Sequence, residues 1–124
     1  MYLRQAHTAI THTAASVGVN SADYKDPLAR GLIVGINIAT ITGTAPTLTV
    51  TIQGKDPHSG TYYTLLASAA LVAAGYTELI VMAGTTVAAG VAASRPMPID
   101  WRVITAIGGT TPAVTATISA QTVF

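Results

Sequence analysis

The chain has 124 residues, of which 50% are hydrophobic and only 9% are charged, whereas roughly a quarter of the residues are charged in a typical soluble domain. This length corresponds to one domain, the hydrophobicity excludes intrinsic disorder, and the net charge of +1 argues against binding nucleic acid by phosphate neutralisation. Without cysteine, a disulfide, a thiolate metal site and a cysteine nucleophile are excluded.

The composition leaves two classes, a membrane protein or a subunit whose surface is covered by partners. The most apolar region, residues 65–93, has Glu78 as its only charge, but Gly75 and Gly84 divide it. Each piece is shorter than the about 20 residues that a helical span needs. Residues 1–16 lack a basic segment followed by an apolar one, so no secretory signal is expected. We therefore expect a chain that is made in the cytoplasm and is not bound to a membrane.

Residues 1–20 mix polar and apolar side chains, and we predict an N-terminal arm or edge strand there, followed by one domain over residues 21–124. Alternation of apolar and threonine-rich positions predicts half-buried strands in this domain. The predicted strands cover residues 32–38, 47–53, 62–66, 78–82, 101–107 and 113–123.

Glycine and proline mark the predicted connections between these strands. Residues 42–46 and 108–112 are predicted to be short hairpin turns, and residues 54–60 a longer turn. The alanine-rich residues 67–74 are predicted to form either a short helix or an extended crossing between sheets. About seven short strands with closely spaced turns predict an all-β fold, an antiparallel β-sandwich of the jelly-roll or Ig-like type with an extended N-terminal arm.

The residues show no pattern of an enzyme or a cofactor site. His7 and His12 are expected on opposite faces of a strand and at the surface, which does not make a metal site. The five carboxylates are interpreted as turn or strand-entry residues. We therefore assign no catalytic, cofactor-binding or metal-binding residue. Trp101 is predicted to be a core residue, and Tyr62 and Tyr63 are predicted to point to opposite faces.

Arginines are the candidate contact residues, since so few charges are present that each one helps to fix how subunits align. Arg102 is expected to face away from Trp101. Arg30, Arg95 and Arg102 are the three candidates for contacts between subunits. The outward positions of the predicted strands are neutral, and a surface with so little charge tends to associate. This favours a homo-oligomer.

Most of the chain, residues 22 to 120, resembles small virion structural proteins of tailed bacteriophages. The residues that carry this resemblance are YKDP at 24–27, TLTVTIQGKDP at 47–57, YY at 62–63, WRV at 101–103 and GGTTP at 108–112. The resemblance implies a non-enzymatic β-sandwich subunit of the virion, assembled in the bacterial cytoplasm.

The preferred role that this resemblance implies is capsid decoration, in which the protein binds the major capsid protein and stabilises the head. Its expected partners are further copies of itself, with a trimer as the expected oligomer, and the major capsid protein or other virion proteins. A component of the tail or head–tail junction is the alternative. A carbohydrate-binding sandwich with exposed rings around Tyr62, Tyr63 or Tyr76 is a third hypothesis.

Overall fold

A computed structural model describes residues 4–124, and these residues form seven strands without any helix. The prediction of an all-β fold with about seven strands is confirmed. The strands are β1 (Arg4–Ala15), β2 (Tyr24–Lys25), β3 (Gly31–Lys55), β4 (Tyr62–Ala67), β5 (Gly75–Met82), β6 (Ala92–Ala93) and β7 (Asp100–Val123).

The two long strands, β3 and β7, form the centre of the sheet. They are antiparallel neighbours from the pair Gly31 and Val123 to the pair Lys55 and Asp100. Along the sheet the order is β1-β7-β3-β5-β6, while β2 pairs with β7 and β4 pairs with β3. All these pairs are antiparallel except the short parallel pair of β5 and β6.

The sheet has two halves, because the long strands have different neighbours at their two ends. The first half-sheet contains residues 31–38 of β3 and 114–123 of β7, flanked by β5 and β1. The second half-sheet contains residues 48–55 of β3 and 100–107 of β7, flanked by β4 and β2.

The two half-sheets pack face to face and enclose one core. His12 of the first half-sheet shares a hydrogen bond of 3.0 Å with Thr105 of the second, so side chains of the two halves meet in the interior. Alternate strand positions point into this space, which is the pattern of a β-sandwich. The largest fully buried side chains are Trp101, Leu32, Ile36, Leu48, Ile52, Leu79, Ile118, Val34, Val50, Val81, Val103 and Val114.

A bend in each long strand replaces the two predicted hairpin turns, and that prediction was wrong. Residues 42–46 and 108–112 do not reverse the chain, since they pair with each other across the β3–β7 ladder. Gly43 and Gly109 have φ angles of 124° and 106°, a region that L side chains rarely adopt. These glycines and the register shifts around them bend the ribbon at a corner between the half-sheets.

The connections agree in part with the sequence. Residues 54–60 include the predicted turn, in which the Asp56 carboxylate accepts hydrogen bonds from the backbone N–H groups of His58 and Ser59. Residues 68–74 contain no helix and cross from β4 to β5, with Leu71 pairing to Leu48. Residues 4–15 form the edge strand β1, while residues 1–3 of the predicted arm lie outside the described residues. The predicted boundary at residue 20 falls between β1 and β2 and stays a prediction.

The corner can be tested at two exposed positions that both have a positive φ angle, one occupied by glycine and the other by threonine. A Cβ at Gly109 would lie 2.7 Å from the Ala45 carbonyl oxygen at a φ of +106°. Gly109→Ala should therefore lower the free energy of unfolding by about 1–3 kcal/mol. Thr111 has a φ of 46°, so Thr111→Gly should change stability by no more than about 1 kcal/mol. Urea unfolding of both variants measures this, and equal losses would contradict the bent-ribbon description.

Candidate assembly surfaces

The outer face of the first half-sheet is nearly free of charge. Among the strand residues from position 5 onward whose side chains face outward here, Glu78 is the only ionisable one apart from Tyr76. The exposed positions along β7 are Thr117, Ser119 and Gln121. The other outward residues named by the register include Ala6, Thr8, Thr11, Ile33, Gly35 and Asn37. We call this surface the neutral face.

Tyr76 is the large exposed ring of the neutral face, with 63% of its surface accessible. It lies over Gly35, where a Cβ would come within 2.6 Å of the Tyr76 hydroxyl and within 3.2 Å of Ser119 Oγ. Its hydroxyl donates to Glu78 at 3.4 Å. Gly35 thus makes room for a flat ring on the sheet.

The outer face of the second half-sheet is charged, and Arg102 lies at its centre. The Arg102 guanidinium carbon is 3.5 Å from the centroid of the Tyr62 ring, a cation–π contact. Its Nε donates to Gln53 Oε1 at 2.9 Å. The expectation that Arg102 faces away from the buried Trp101 is confirmed by their burial. We call this surface the charged face.

Asp23 connects the other polar groups of the charged face. It accepts hydrogen bonds of 2.8 and 2.9 Å from the Tyr62 hydroxyl, and Lys55 Nζ lies 3.2 Å away. The hydrogen bond from Tyr62, followed by the interaction with Lys55, lowers the pKa of the Asp23 carboxyl. The same contact with Asp23 raises the pKa of Lys55. Lys25 and Asp100 form a further pair at 3.8 Å.

The three candidate arginines do not gather at one place. Arg95 Nη1 donates to the Thr64 carbonyl oxygen at 2.9 Å, and its guanidinium carbon lies 5.7 Å from the centroid of the Tyr63 ring. Tyr62 and Tyr63 are successive strand residues with opposite directions, so Arg95 and Arg102 cover opposite sides of β4. Arg30 lines a shallow pocket with Met82, Ala83 and Val123, at the end of the first half-sheet. A role of these arginines between subunits stays a prediction.

An interior polar cluster was not predicted from the sequence. The Asp26 carboxylate is buried and accepts a 3.0 Å hydrogen bond from Trp101 Nε1. His7 Nε2 lies 3.8 Å from the same carboxylate oxygen, and the His7 ring packs 4.5 Å from the ring of Tyr24. The role of Asp26 as a buried hydrogen-bond acceptor was missed because an aspartate before proline is typical of a turn. The sequence alone does not distinguish a turn residue from a buried acceptor.

The expectation that His7 and His12 are surface residues on opposite faces was wrong. Both point inward, because a β-bulge between Thr8 and Ile10 adds a residue and changes the alternation. His12 is 4% exposed and bonds Thr105 Oγ1, which also accepts from the Val19 N–H. Burial lowers the pKa of His12 below its ordinary value of 6.5.

Among residues 4–124, no group of three or more histidine or carboxylate side chains could hold a metal ion. None of these residues belongs to a helix that is long and apolar enough to cross a bilayer. The β-sandwich thus has two different outer surfaces, the neutral face and the charged face.

No family model matches the sequence, and no curated protein is similar to it. A solved structure from Bacillus endospore appendages, described as a novel family of disulfide-linked pili, is similar over 99% of this chain and 87% of that one, with a TM-score of 0.50 and 15% identity. A structure of infectious bursal disease virus, Gx strain, matches 98% of this chain and 33% of that one, with a TM-score of 0.45 and 12% identity. At these identities the likeness concerns the fold alone.

The buried His12 predicts how stability depends on pH. Since its pKa is lowered in the folded state, the unfolded chain takes up the proton first as the pH falls. The contribution of neutral His12 to the free energy of unfolding is fully present above about pH 6.5 and is lost progressively below that pH. The urea concentration at the unfolding midpoint should therefore decrease when the pH is lowered from 7.5 to 5.5. His12→Gln retains a hydrogen-bonding side chain, and its urea midpoint should decrease less over the same pH range. A decrease as large as that of the wild-type chain would contradict this account.

Proposed function

We propose that this chain is a non-enzymatic structural subunit that assembles with copies of itself, and that its role is to decorate the capsid of a tailed bacteriophage. The neutral face carries this proposal. Apart from Glu78, this face consists of threonine, serine and other uncharged side chains, which a neighbour can cover without the cost of desolvating ions. A surface with so little charge favours association.

The comparison with known folds supports a structural role in a general way. The similar fold from Bacillus occurs in appendages that are described as pili, so a sandwich of this shape is compatible with assembly from many subunits. Residues 22 to 120 also resemble phage virion proteins in their motifs. In the proposed decoration role, the major capsid protein is the second partner and the location is the virion.

The charged face argues against the carbohydrate-binding alternative. Sugars stack on exposed aromatic rings, yet the Tyr62 ring is half-buried beneath Arg102 at 3.5 Å. Tyr63 lies near Arg95. Only Tyr76 among these three tyrosines is free of a nearby arginine in the contacts described. A tail or head–tail junction role remains the second candidate of the same class.

Oligomer size and one matched pair of variants test the proposal. Sedimentation of the purified chain should give a small oligomer, for which a trimer supports decoration and a ring of six or more supports the tail. Thr117→Lys places a charge on the neutral face and should lower the association constant by about tenfold or more, since a buried unpaired charge costs over 1.4 kcal/mol. Thr64→Lys adds the same charge on exposed β4 and should leave association unchanged.

A monomeric wild-type chain, or equal effects of Thr117→Lys and Thr64→Lys, would overturn assignment of the neutral face to assembly. Imaging of virions that carry this chain tests the decoration role itself. Density for the chain on the outer surface of the shell is expected. Density confined to the tail would replace decoration by the alternative role.

A further inference from the structure

We propose that β1 is exchanged between copies of this chain, so that β1 of one copy lies on β7 of its neighbour. The inference rests on the proposed self-assembly and adds the contact that links the copies. It follows from three features of β1: its position at the edge of the sheet, its few apolar anchors and its short connection to the second half-sheet.

The edge position leaves β1 attached to one strand. In the described part of the chain, β1 pairs with β7 alone, from Arg4 opposite Val123 to Ala15 opposite Val114. Removing β1 therefore breaks one ladder and leaves the β3–β7 and β3–β5 ladders intact. The edge of residues 114–123 that it uncovers is complementary to β1 itself.

The inward side chains of β1 provide little hydrophobic anchoring. Among its described residues, Ile10 is the one large aliphatic side chain in the core, and His7, His12 and Gln5 share its face. By comparison, β5 on the other side of β3, which has only the two-residue strand β6 beyond it, buries both Leu79 and Val81 completely. Because local stability follows buried apolar area, β1 is the more easily released of the two strands.

The connection after β1 is short. The last pair of β1 is Ala15 with Val114 in the first half-sheet, while Val19 is already bonded to Thr105 of the second half-sheet. The chain must cross between the half-sheets over residues 16–18. A short hinge favours strand exchange over closure on the same chain.

The occupant of the vacated edge is β1 of a second copy, because that strand reproduces every contact of the original one. The ladder to residues 114–123, the buried Ile10 and the His12–Thr105 hydrogen bond would all form again between chains. The folded contacts are retained, and the hinge conformation is the main difference. The exchange can close reciprocally in a dimer or continue from copy to copy. It would link copies that have no cysteine for a disulfide.

Cross-linking can distinguish exchange from surface contact, because the wild-type chain contains no cysteine. Thr117 lies opposite Thr11 of β1 and also opposite Asn37 of β3, and all three residues are exposed. Opposed strand residues have Cα atoms within reach of a disulfide. Thr117→Cys protein labelled with ¹⁵N is mixed with unlabelled Thr11→Cys protein in urea, refolded at high concentration and oxidised. A disulfide that joins a labelled and an unlabelled chain is expected.

Asn37→Cys protein is the matched control partner for the labelled Thr117→Cys protein. It should give at least about tenfold less mixed disulfide, because β3 is central and stays with its own β7. Equal yields with Thr11→Cys and Asn37→Cys would indicate packing of faces and would overturn exchange. Oligomers without any mixed disulfide would overturn exchange while leaving the proposed assembly intact, whereas a monomeric chain would count against both.

The hinge supplies an independent test. Insertion of four residues, Gly-Ser-Gly-Ser, between the exposed Ser16 and Val17 lengthens the hinge, so the closed form becomes more favourable and the exchanged fraction should fall about tenfold. The same insertion between Ser59 and Gly60, in the exposed turn after β3, should leave that fraction unchanged. An exchanged fraction that is insensitive to the length of the hinge would contradict its role.

Discussion

The ladder between β3 and β7 is the interaction on which the rest of the fold depends. It runs without a chain reversal from Gly31 opposite Val123 to Lys55 opposite Asp100. β1 and β5 pair with one end of this ribbon, and β2 and β4 pair with the other end. Because both half-sheets belong to the same ribbon, bending it once at the corner creates the two layers and the core together. Strand pairs of such sequence separation form slowly but cooperatively.

Directional contacts in the interior fix how the two half-sheets align. Hydrophobic burial alone is non-directional, and many alignments of aliphatic side chains would bury similar area. The His12–Thr105 hydrogen bond exists in one alignment only. Buried polar contacts of this kind favour a unique core when they are satisfied. The His12–Thr105 hydrogen bond connects β1 to the layer opposite it.

Period-two alternation identified the strand regions 32–38, 47–53, 101–107 and 113–123, and it placed Trp101 inside and Arg102 outside. It could not distinguish a bend from a reversal at residues 42–46 and 108–112, since glycine serves both. The direction of His7 and His12 was missed because a bulge changes the alternation in β1. The Asp23–Tyr62 contact joins residues 39 apart, and no local pattern reports such a pair. The sequence did contain an indication of the bend, since residues 42–46 and 108–112 each lie midway along a long stretch of alternating apolar and polar residues.

The few charged side chains are distributed unevenly over the surface, which the composition does not reveal. Five of the charged side chains, Asp23, Lys25, Lys55, Asp100 and Arg102, surround the second half-sheet and are paired there with one another or with neutral groups. Pairing on an exposed surface adds little stability, so these residues matter mainly by keeping that face hydrated. The opposite face can then be covered by a neighbour with little desolvation cost. Because the charged face stays hydrated and the neutral face can be covered, the β-sandwich has a defined orientation in the proposed assembly.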